Sequence, residues 1–304
     1  MQTATIWVAT RRLGSTLALL APVLLGTGAV LAGPEADACA ALAASQFEPG
    51  YEAIGGDAFF MDVTAAIDAC QVALQAEPDN GRVKAWLARA YIAGGDPASA
   101  VPLLQDTVIQ GIPLAQFLMA DISMSGAGVE QDMDYAAGYL QESAEAGFAL
   151  SQNNLGLAYD QGTGVPQDAA LAARWYEAAA EQGMSIAQTN IGFAYQNGLG
   201  VEIDYAKAAS WFEKSAAQGD ATGQLNLGMI YLNGQGVEVD YAEALRWTQL
   251  AADGGQPVAL NNLGYMYENG FGLTADLDQA LAYYQQAADL GEQNAIDNLA
   301  RLNP

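Results

Sequence analysis

Apolar and small residues recur at helical spacing through most of this chain. In one stretch, Ala187, Ile191 and Tyr195 fall on one face of a helix, because side chains at i, i+4 and i+8 lie above one another. A second helical run follows, with Ala208 and Ala216 on its apolar face. The pattern therefore predicts a pair of helices joined by a short polar loop.

Glycine, asparagine and aspartate mark the ends of these runs. The first run stops at Asn197-Gly198, a pair that tolerates the left-handed backbone found after helices. Gly200 lets the loop bend, and Asp204 suits the N-cap of the second helix, where its carboxylate contributes about 1 kcal/mol. The aspartate returns every 36 residues, as Asp132, Asp168, Asp204, Asp240 and Asp276. A phase held over this length indicates one structural unit stacked repeatedly.

An aromatic residue occupies the same place in every second run. We expect these rings to fill the space between helix pairs, where burial of each contributes about 1.5–3 kcal/mol. The alanine positions keep side chains small where two helix axes come close. The aromatic column consists of Tyr139, Trp175, Trp211, Trp247 and Tyr283.

These columns resemble the Sel-one-like repeat (SLR), a relative of the tetratricopeptide repeat. The family pattern is A-x-x-x-L-G-x-x-Y-x-x-G-x-G-V-x-x-D-x-x-x-A-x-x-W-x-x-x-A-A-x-x-G. One copy meets it with Ala187, Ile191-Gly192, Tyr195, Gly198, Gly200-Val201, Asp204, Ala208, Trp211, Ala216 and Gly219. The resemblance covers about residues 113–302; the first copy departs from it, with Ser123 replacing the tyrosine and Ala120 the glycine. It implies an all-α fold, a right-handed α-solenoid superhelix of antiparallel helix pairs, which usually serves as a scaffold for protein partners.

The repeat phase also predicts how the chain is divided. The spacing from Tyr91 to Asp96 is shorter than that from Tyr159 to Asp168 by the four residues of the G-x-G-V loop, which indicates a tetratricopeptide-like unit. The last residues match only the first helix of a unit, as needed to cover the open end of a solenoid. The predicted segments are a signal peptide (1–32), a helical cap (33–78), the tetratricopeptide-like unit (79–112), five repeats (113–292) and a capping helix (293–304).

The first residues read as a secretory signal. Arg11-Arg12 precede an apolar run that ends in small residues, and cleavage after Ala32 would give a periplasmic or secreted protein. An uncleaved membrane anchor is the alternative. Pro22 and Gly26 interrupt the run and favour cleavage.

Two cysteines, Cys39 and Cys70, are the only ones in the chain. In an exported protein an even pair predicts a disulfide. The bond would close a loop of about 32 residues and contribute roughly 3–4 kcal/mol on the loop-entropy model. Two buried thiols are the alternative.

Acidic residues far outnumber basic ones, 35 to 10, for a net charge of −25. Loss of residues 1–32 would remove two arginines and no acid, leaving −27. Nucleic acid is a poor ligand for such a chain, since phosphate binding needs a basic stripe. The field favours a basic partner, although a generally acidic exported protein would have the same composition.

The sequence offers little chemistry. It has no histidine, which excludes histidine-dependent triads and zinc motifs. It also lacks a P-loop lysine and an EF-hand calcium motif, so we expect no cofactor, no metal site and no catalytic residue. The periodic aspartates could be imagined as catalytic acids, but N-caps explain their positions better. A hydrolase that uses only carboxylates remains open, with no pair singled out.

The predicted function is therefore a non-enzymatic periplasmic scaffold that binds a protein or peptide. The SLR resemblance implies envelope signalling as one setting, since exported relatives include regulators of envelope sensor kinases and envelope scaffolds. The alternatives are a cell-wall glycan-binding protein and a carboxylate-based glycan hydrolase.

A stripe on the first helices is the predicted partner-binding site. In the repeat class that the chain resembles, the first helix lines the concave groove. The constant asparagines suit hydrogen bonding to a peptide backbone, and the large apolar residues that vary between copies suit pockets for partner side chains. The alternatives are that the middle column packs between repeats and that Asn197, Asn233 and Asn269 cap helices. The stripe consists of Asn154, Leu157, Asn190, Phe193, Asn226, Met229, Asn262 and Tyr265.

Overall fold

The computed structural model describes residues 33–48 and 61–302. Fifteen α-helices follow one another in this part of the chain and stack as pairs. The predicted signal segment, 1–32, lies outside the described residues. Within 33–48 and 61–302, no helix has the length and apolar content needed to cross a membrane.

The helices before the repeats form two pairs. They are α1 (Pro34–Ala43), α2 (Val63–Ala76), α3 (Gly81–Ala93) and α4 (Pro97–Val108). Five further pairs follow, and each of their helices is 13 residues long. Their first helices are α5 (Pro113–Ser125), α7 (Ala149–Gln161), α9 (Ser185–Asn197), α11 (Ala221–Asn233) and α13 (Pro257–Asn269). Their second helices are α6 (Met133–Glu145), α8 (Ala169–Glu181), α10 (Tyr205–Ala217), α12 (Tyr241–Asp253) and α14 (Leu277–Asp289). The last described helix is α15 (Gln293–Leu302).

The aspartate column begins the second helices as predicted. The Oδ1 atom of Asp204 accepts a hydrogen bond of 3.0 Å from the backbone N–H of Lys207. Asp132, Asp168, Asp240 and Asp276 cap their helices in the same way. These hydrogen bonds satisfy N–H groups that have no partner within the helix, and they confirm the N-cap interpretation.

A loop glycine fastens each unit to the one before it. Gly200 has φ +72°, and a Cβ atom there would lie 2.0 Å from the carbonyl oxygen of Ala169. Ala169 begins the second helix of the preceding unit. This loop position thus requires glycine for two reasons, the left-handed backbone and the close approach between units.

The aromatic column is less buried than predicted. Trp211 and Trp247 are half-buried, and each is covered by a cation, with the Lys214 Nζ atom 3.7 Å from one ring centroid and the Arg246 Cζ atom 3.9 Å from the other. The buried ring of the second helix is the following residue in three of the units. These rings are Tyr176, Phe212 and Tyr284.

Each of these buried rings fits against a glycine of the facing first helix. A Cβ atom on Gly192 would lie 2.6 Å from the Phe212 ring, and one on Gly264 would lie 2.6 Å from that of Tyr284. The leucine-glycine pair of the repeat pattern therefore marks the point where the two helices of a pair come closest. Helix packing explains this glycine, because a side chain there would push the helices apart.

The disulfide prediction is confirmed. Cys39 on α1 and Cys70 on α2 are joined, with their Cα atoms 4.6 Å apart. Both are fully buried among the alanines of the N-terminal core. The bond therefore ties the first helix to the rest of the stack.

Buried polar contacts hold the residues that follow α1. Arg89 on α3 donates to the carbonyl oxygens of Ala43 and Ala44 at 2.9 and 2.6 Å. The indole N–H of Trp86 donates to Glu48 at 2.8 Å. Burial raises the pKa of the Glu48 carboxyl above its usual value, although this hydrogen bond and the nearby arginines oppose the shift.

The last helix packs on α14 and makes polar contacts with α13. Two guanidinium nitrogens of Arg301 donate to the carboxylate of Glu268, at 2.9 and 2.8 Å. This pairing lowers the pKa of Glu268. The side chain of Asn298 donates to Asn261 at 3.0 Å, and Ala295 is buried.

Candidate functional site

Some first helices of successive units approach one another more closely than any two successive second helices do. The pairs α1–α3, α3–α5 and α9–α11 make contacts across units, and no two successive second helices in the described chain approach to the same extent. A stack that is tighter on one side curves toward that side. This asymmetry favours an inner face lined by the first helices, which carry the residues of the predicted stripe.

Two asparagines of the column connect neighbouring units. Asn190 donates to the side chain of Asn153 in the preceding unit at 3.0 Å. Asn262 donates to the Met229 sulfur at 3.1 Å. Asn154 accepts a bond of 3.3 Å from Asn153. A primary amide has two donors and two acceptor sites, so these internal contacts use part of the capacity predicted to bind a peptide.

Asn226 bonds its own helix rather than a neighbouring unit. Its side chain donates to the carbonyl oxygen of Thr222 at 2.7 Å. The four asparagines of the column are all half-buried. Their donors and acceptors that are not used in these bonds remain available.

The apolar column divides into two kinds of position. Leu157 and Tyr265 are 41% and 45% exposed. Phe193 and Met229 are half-buried, and the Phe193 ring meets that of Phe212 edge to face at 5.5 Å. The exposed pair is accessible to a partner, whereas Phe193 also packs between the two helices of its own unit.

Two of the asparagines at the ends of the first helices act locally. Asn197 donates to the carbonyl oxygen of Phe193 at 3.0 Å, and Asn269 to that of Tyr265 at 2.8 Å. Each of these bonds runs back four residues along the same helix. Asn233 and Gln161 are exposed.

A small cavity brings Asn190 and Phe193 together. Its volume is about 180 Å³, and Leu199, Tyr176 and Asp160 complete its walls. It lies between α7, α8 and α9, so one unit alone does not form it. Stacking therefore produces concave features that a single repeat could not supply.

An aromatic cluster surrounds Tyr265, and sequence reasoning missed it. The rings of Tyr265 and Phe271 are 5.7 Å apart, and Phe271 stacks on Tyr241 at 4.8 Å. Tyr241 begins α12 in the preceding unit and is 40% exposed. The signal was present in the sequence as an aromatic at position 271, where the other loops carry Leu199 or Gln235.

The pKa shifts of the tyrosines in the repeats have structural causes. Burial raises the pKa of the phenols of Tyr176 and Tyr284. Burial and the hydrogen bond to Tyr135 raise the pKa of Tyr139 to about 12. Among the described residues, no group of three or more carboxylate or cysteine side chains could hold a metal ion.

The comparisons with known families and structures agree on the architecture. The Sel1 repeat model matches residues 113–148, 149–184, 185–220, 221–256 and 257–292. A tetratricopeptide repeat model matches residues 62–111. No curated protein matches the chain.

Two solved structures are similar in both sequence and fold. One is c5321, a protective antigen present in uropathogenic Escherichia coli strains that displays an SLR fold, at 33% identity and a TM-score of 0.71. That match covers 79% of this chain and 52% of the antigen, so this chain spans about half the antigen's length. The other is a Sel1 repeat protein from Oxalobacter formigenes, at 30% identity and a TM-score of 0.68, covering 71% of this chain and 86% of that one.

Proposed function

Since the chain belongs to the Sel1 repeat family, we propose that it is a non-enzymatic, periplasmic or secreted scaffold that binds a protein or peptide along the inner face of its first helices. Scaffolding is what this repeat architecture generally does, because stacked units present an extended concave surface. An adaptor role in the cell envelope follows from this proposal.

The observation that supports the groove most directly is a pair of exposed apolar residues on the first helices. Leu157 and Tyr265 occupy equivalent positions three units apart, and both are well exposed. Asparagine side chains lie one helical turn before each of them. Large apolar anchors beside polar groups are typical of sites that bind protein segments.

The charge of the chain supports a basic partner. With 35 acidic and 10 basic residues, the surface attracts cationic segments over a distance of about 8–10 Å at moderate ionic strength. Such a field raises the rate of encounter more than the final affinity.

Export is supported by the disulfide and by the sequence of residues 1–32. Disulfides persist in oxidising compartments such as the periplasm, and the Cys39–Cys70 bond is fully buried. A mature N-terminus at Gly33 would leave α1 and the disulfide intact.

Glycan binding is the second candidate, because of the aromatic cluster. Tyr241, Phe271 and Tyr265 form an exposed aromatic surface, and sugar rings bind to such surfaces through their apolar faces. Hydrolysis of the glycan would further need two carboxyl groups across the bond that is cut, and we assign no such pair.

The test uses affinity capture from envelope extract, followed by titration of the captured partner. We expect Leu157→Ala with Tyr265→Ala to weaken binding of the captured partner at least tenfold, with little change in melting temperature, because both side chains are well exposed. The matched control is Leu250→Ala with Leu277→Ala, which removes apolar side chains that are 39% and 51% exposed on second helices. Equal capture by both double variants would refute the groove. Binding to purified cell-wall glycan instead of protein would favour the second candidate.

A further inference from the structure

A second concave feature lies at the N-terminal end of the inner face. It is a cavity of about 410 Å³, and first helices from four successive units line it together with the residues after α1. This volume falls within the range of about 300–1,000 Å³ typical of ligand pockets. Its walls include Phe47, Ile92, Phe117, Leu150, Ile186 and Asp121.

The cavity is preformed because hydrogen bonds hold the segment after α1, which forms one of its walls. Phe47 belongs to the segment after α1, whose neighbouring carbonyl groups accept hydrogen bonds from Arg89. Glu48, the next residue, accepts the bond from the Trp86 indole. A wall held on both sides need not be ordered when a ligand enters, which lowers the entropic cost of binding.

Most of the cavity surface is apolar, and one carboxylate lies among the apolar lining residues. Asp121 is open to the cavity, and its side chain has no hydrogen bond or ion pair among residues 33–48 and 61–302. Residue 121 is exposed to solvent, and the protein around the carboxyl raises its pKa. A carboxylate that borders an apolar cavity and has no ion pair attracts a cationic group on an entering ligand.

The cation in the same cavity does not supply that partner. Arg89 also lines the cavity, but its guanidinium donates to Ala43 and Ala44. The Asp121 carboxylate therefore remains available to pair with a cation on a ligand. The net charge of −25 favours the approach of such a group.

We propose that this cavity is an anchor site for a peptide segment: it binds one large apolar side chain, and a lysine or arginine next to that side chain pairs with Asp121. The inference rests on the proposed scaffold function and specifies the chemistry of the segment that the groove binds. The apolar walls exclude water from the bound side chain, and the single carboxylate selects the sign of its neighbour.

The test titrates synthetic peptides into the chain from Gly33 onward, labelled with ¹³C at isoleucine, leucine and methionine methyl groups. The probe is an eight-residue Gly/Ser peptide with a central Leu-Lys pair, and the matched probes carry Leu-Glu or Ser-Lys. Met184 and Ile186 report on the cavity, and Met229 reports on the groove further along. We expect Leu-Lys to shift the methyl signals of Met184 and Ile186, with at least about fivefold weaker binding of the other two peptides.

Variants at Asp121 decide the role of the carboxylate. Asp121→Asn should abolish the preference for Leu-Lys over Leu-Glu, and Asp121→Lys should reverse it. Glu130→Gln, which removes the same charge from an exposed loop of the same unit, should leave the preference intact. Unchanged melting curves would show that the variants are folded.

The outcomes separate this inference from the scaffold proposal. Shifts at Met229 without shifts at Met184 and Ile186 would overturn the anchor site and leave the groove standing. No shift with any of the peptides, or a preference that survives Asp121→Lys, would also overturn it. Partner capture by the Leu157/Tyr265 variant is an independent measurement and would decide the scaffold proposal on its own.

Discussion

At the scale of single residues, glycine controls how closely the helices approach. Gly192 lets the Phe212 ring lie against the backbone of the facing helix, and Gly200 lets a loop touch the start of the preceding unit's second helix. The two positions differ in kind, since the backbone is helical at Gly192 and left-handed at Gly200. The second therefore combines a steric demand with a conformational one.

A matched pair of substitutions separates these two demands. Gly219 is also left-handed, at φ +87°, but a Cβ atom there would meet no atom within 4 Å. Gly219→Ala should cost about 1–2 kcal/mol for the backbone alone. Gly200→Ala should cost at least about 2 kcal/mol more, because the methyl group would collide with Ala169. Urea unfolding followed by circular dichroism measures both, and equal costs would contradict the steric role.

The buried carboxyl of Glu48 predicts a dependence on pH. Burial raises its pKa in the folded protein above the unfolded value, so its contribution to stability is fully present below the unfolded pKa and is lost as pH rises through the folded pKa. A glutamine in its place would not titrate and could still accept the bond from Trp86. Glu48→Gln should therefore gain stability relative to the wild type between about pH 4 and pH 7, as measured by urea unfolding at each pH.

The comparison needs a control because the whole chain is acidic. Glu130→Gln removes an exposed carboxylate, and its stability relative to the wild type should change less over the same interval. A Glu48→Gln difference that stays constant with pH, or moves the other way, would rule out a raised pKa at Glu48.

At the scale of helices, the sequence signals at the start and end of each helix could be predicted. Which side chains of a helix pack against the neighbouring helix could not. Asn197-Gly198 and Asp204 mark boundaries through local backbone chemistry, which a single chain reveals. Burial of Phe212 rather than Trp211 depends on the angle at which two helices cross, and adjacent residues on a helix lie only about 100° apart. The aromatic column was therefore located correctly and its burial was overestimated.

The candidate site was also predictable only in part. Periodicity identified the equivalent positions on every first helix, and the prediction that they face the groove came from the resemblance to the repeat class. The contacts of Asn190 and Asn262 with neighbouring units could not be read from periodicity, since they depend on the distance between units. The N-terminal cavity was invisible in the sequence because its walls come from segments far apart in the chain.

The disulfide predicts a local effect on one element. Cys39→Ser with Cys70→Ser should remove roughly 3–4 kcal/mol of stabilisation from the pairing of α1 with α2. In a solenoid each unit contacts mainly its neighbours, so the loss should remain near the N-terminus. Hydrogen exchange should show α1 losing protection while α11 to α14 keep theirs. A uniform loss along the chain would contradict this local role.

At the scale of the whole molecule, charge opposes the fold. The net charge of −25 is spread along a stack in which acidic residues outnumber basic ones in both halves. Such self-repulsion destabilises the compact state. Ion pairs such as Arg301–Glu268 offset only part of it.

Added salt should therefore stabilise this protein. Screening shortens the reach of the repulsion to about 8 Å at 0.15 M and about 3 Å at 1 M ionic strength. We expect the melting temperature to rise by a few degrees between about 10 mM and 300 mM NaCl, with most of the rise below about 150 mM. Sucrose of matched osmolality is the control for effects that do not depend on charge. A flat or falling melting temperature in salt would indicate that attractive ion pairs dominate.

The segment after α1 gives the stack a mechanical asymmetry. Phe47 packs against the core of the N-terminal units and also against the core that contains Met184 and Ala187. It therefore bridges units that are not sequence neighbours. Helix pairs that contact only their neighbours can bend relative to one another, and a segment that contacts several pairs restricts this bending. Under tension we expect the N-terminal half to stay rigid and the C-terminal half to extend. A partner bound at both ends would therefore move with the C-terminal half.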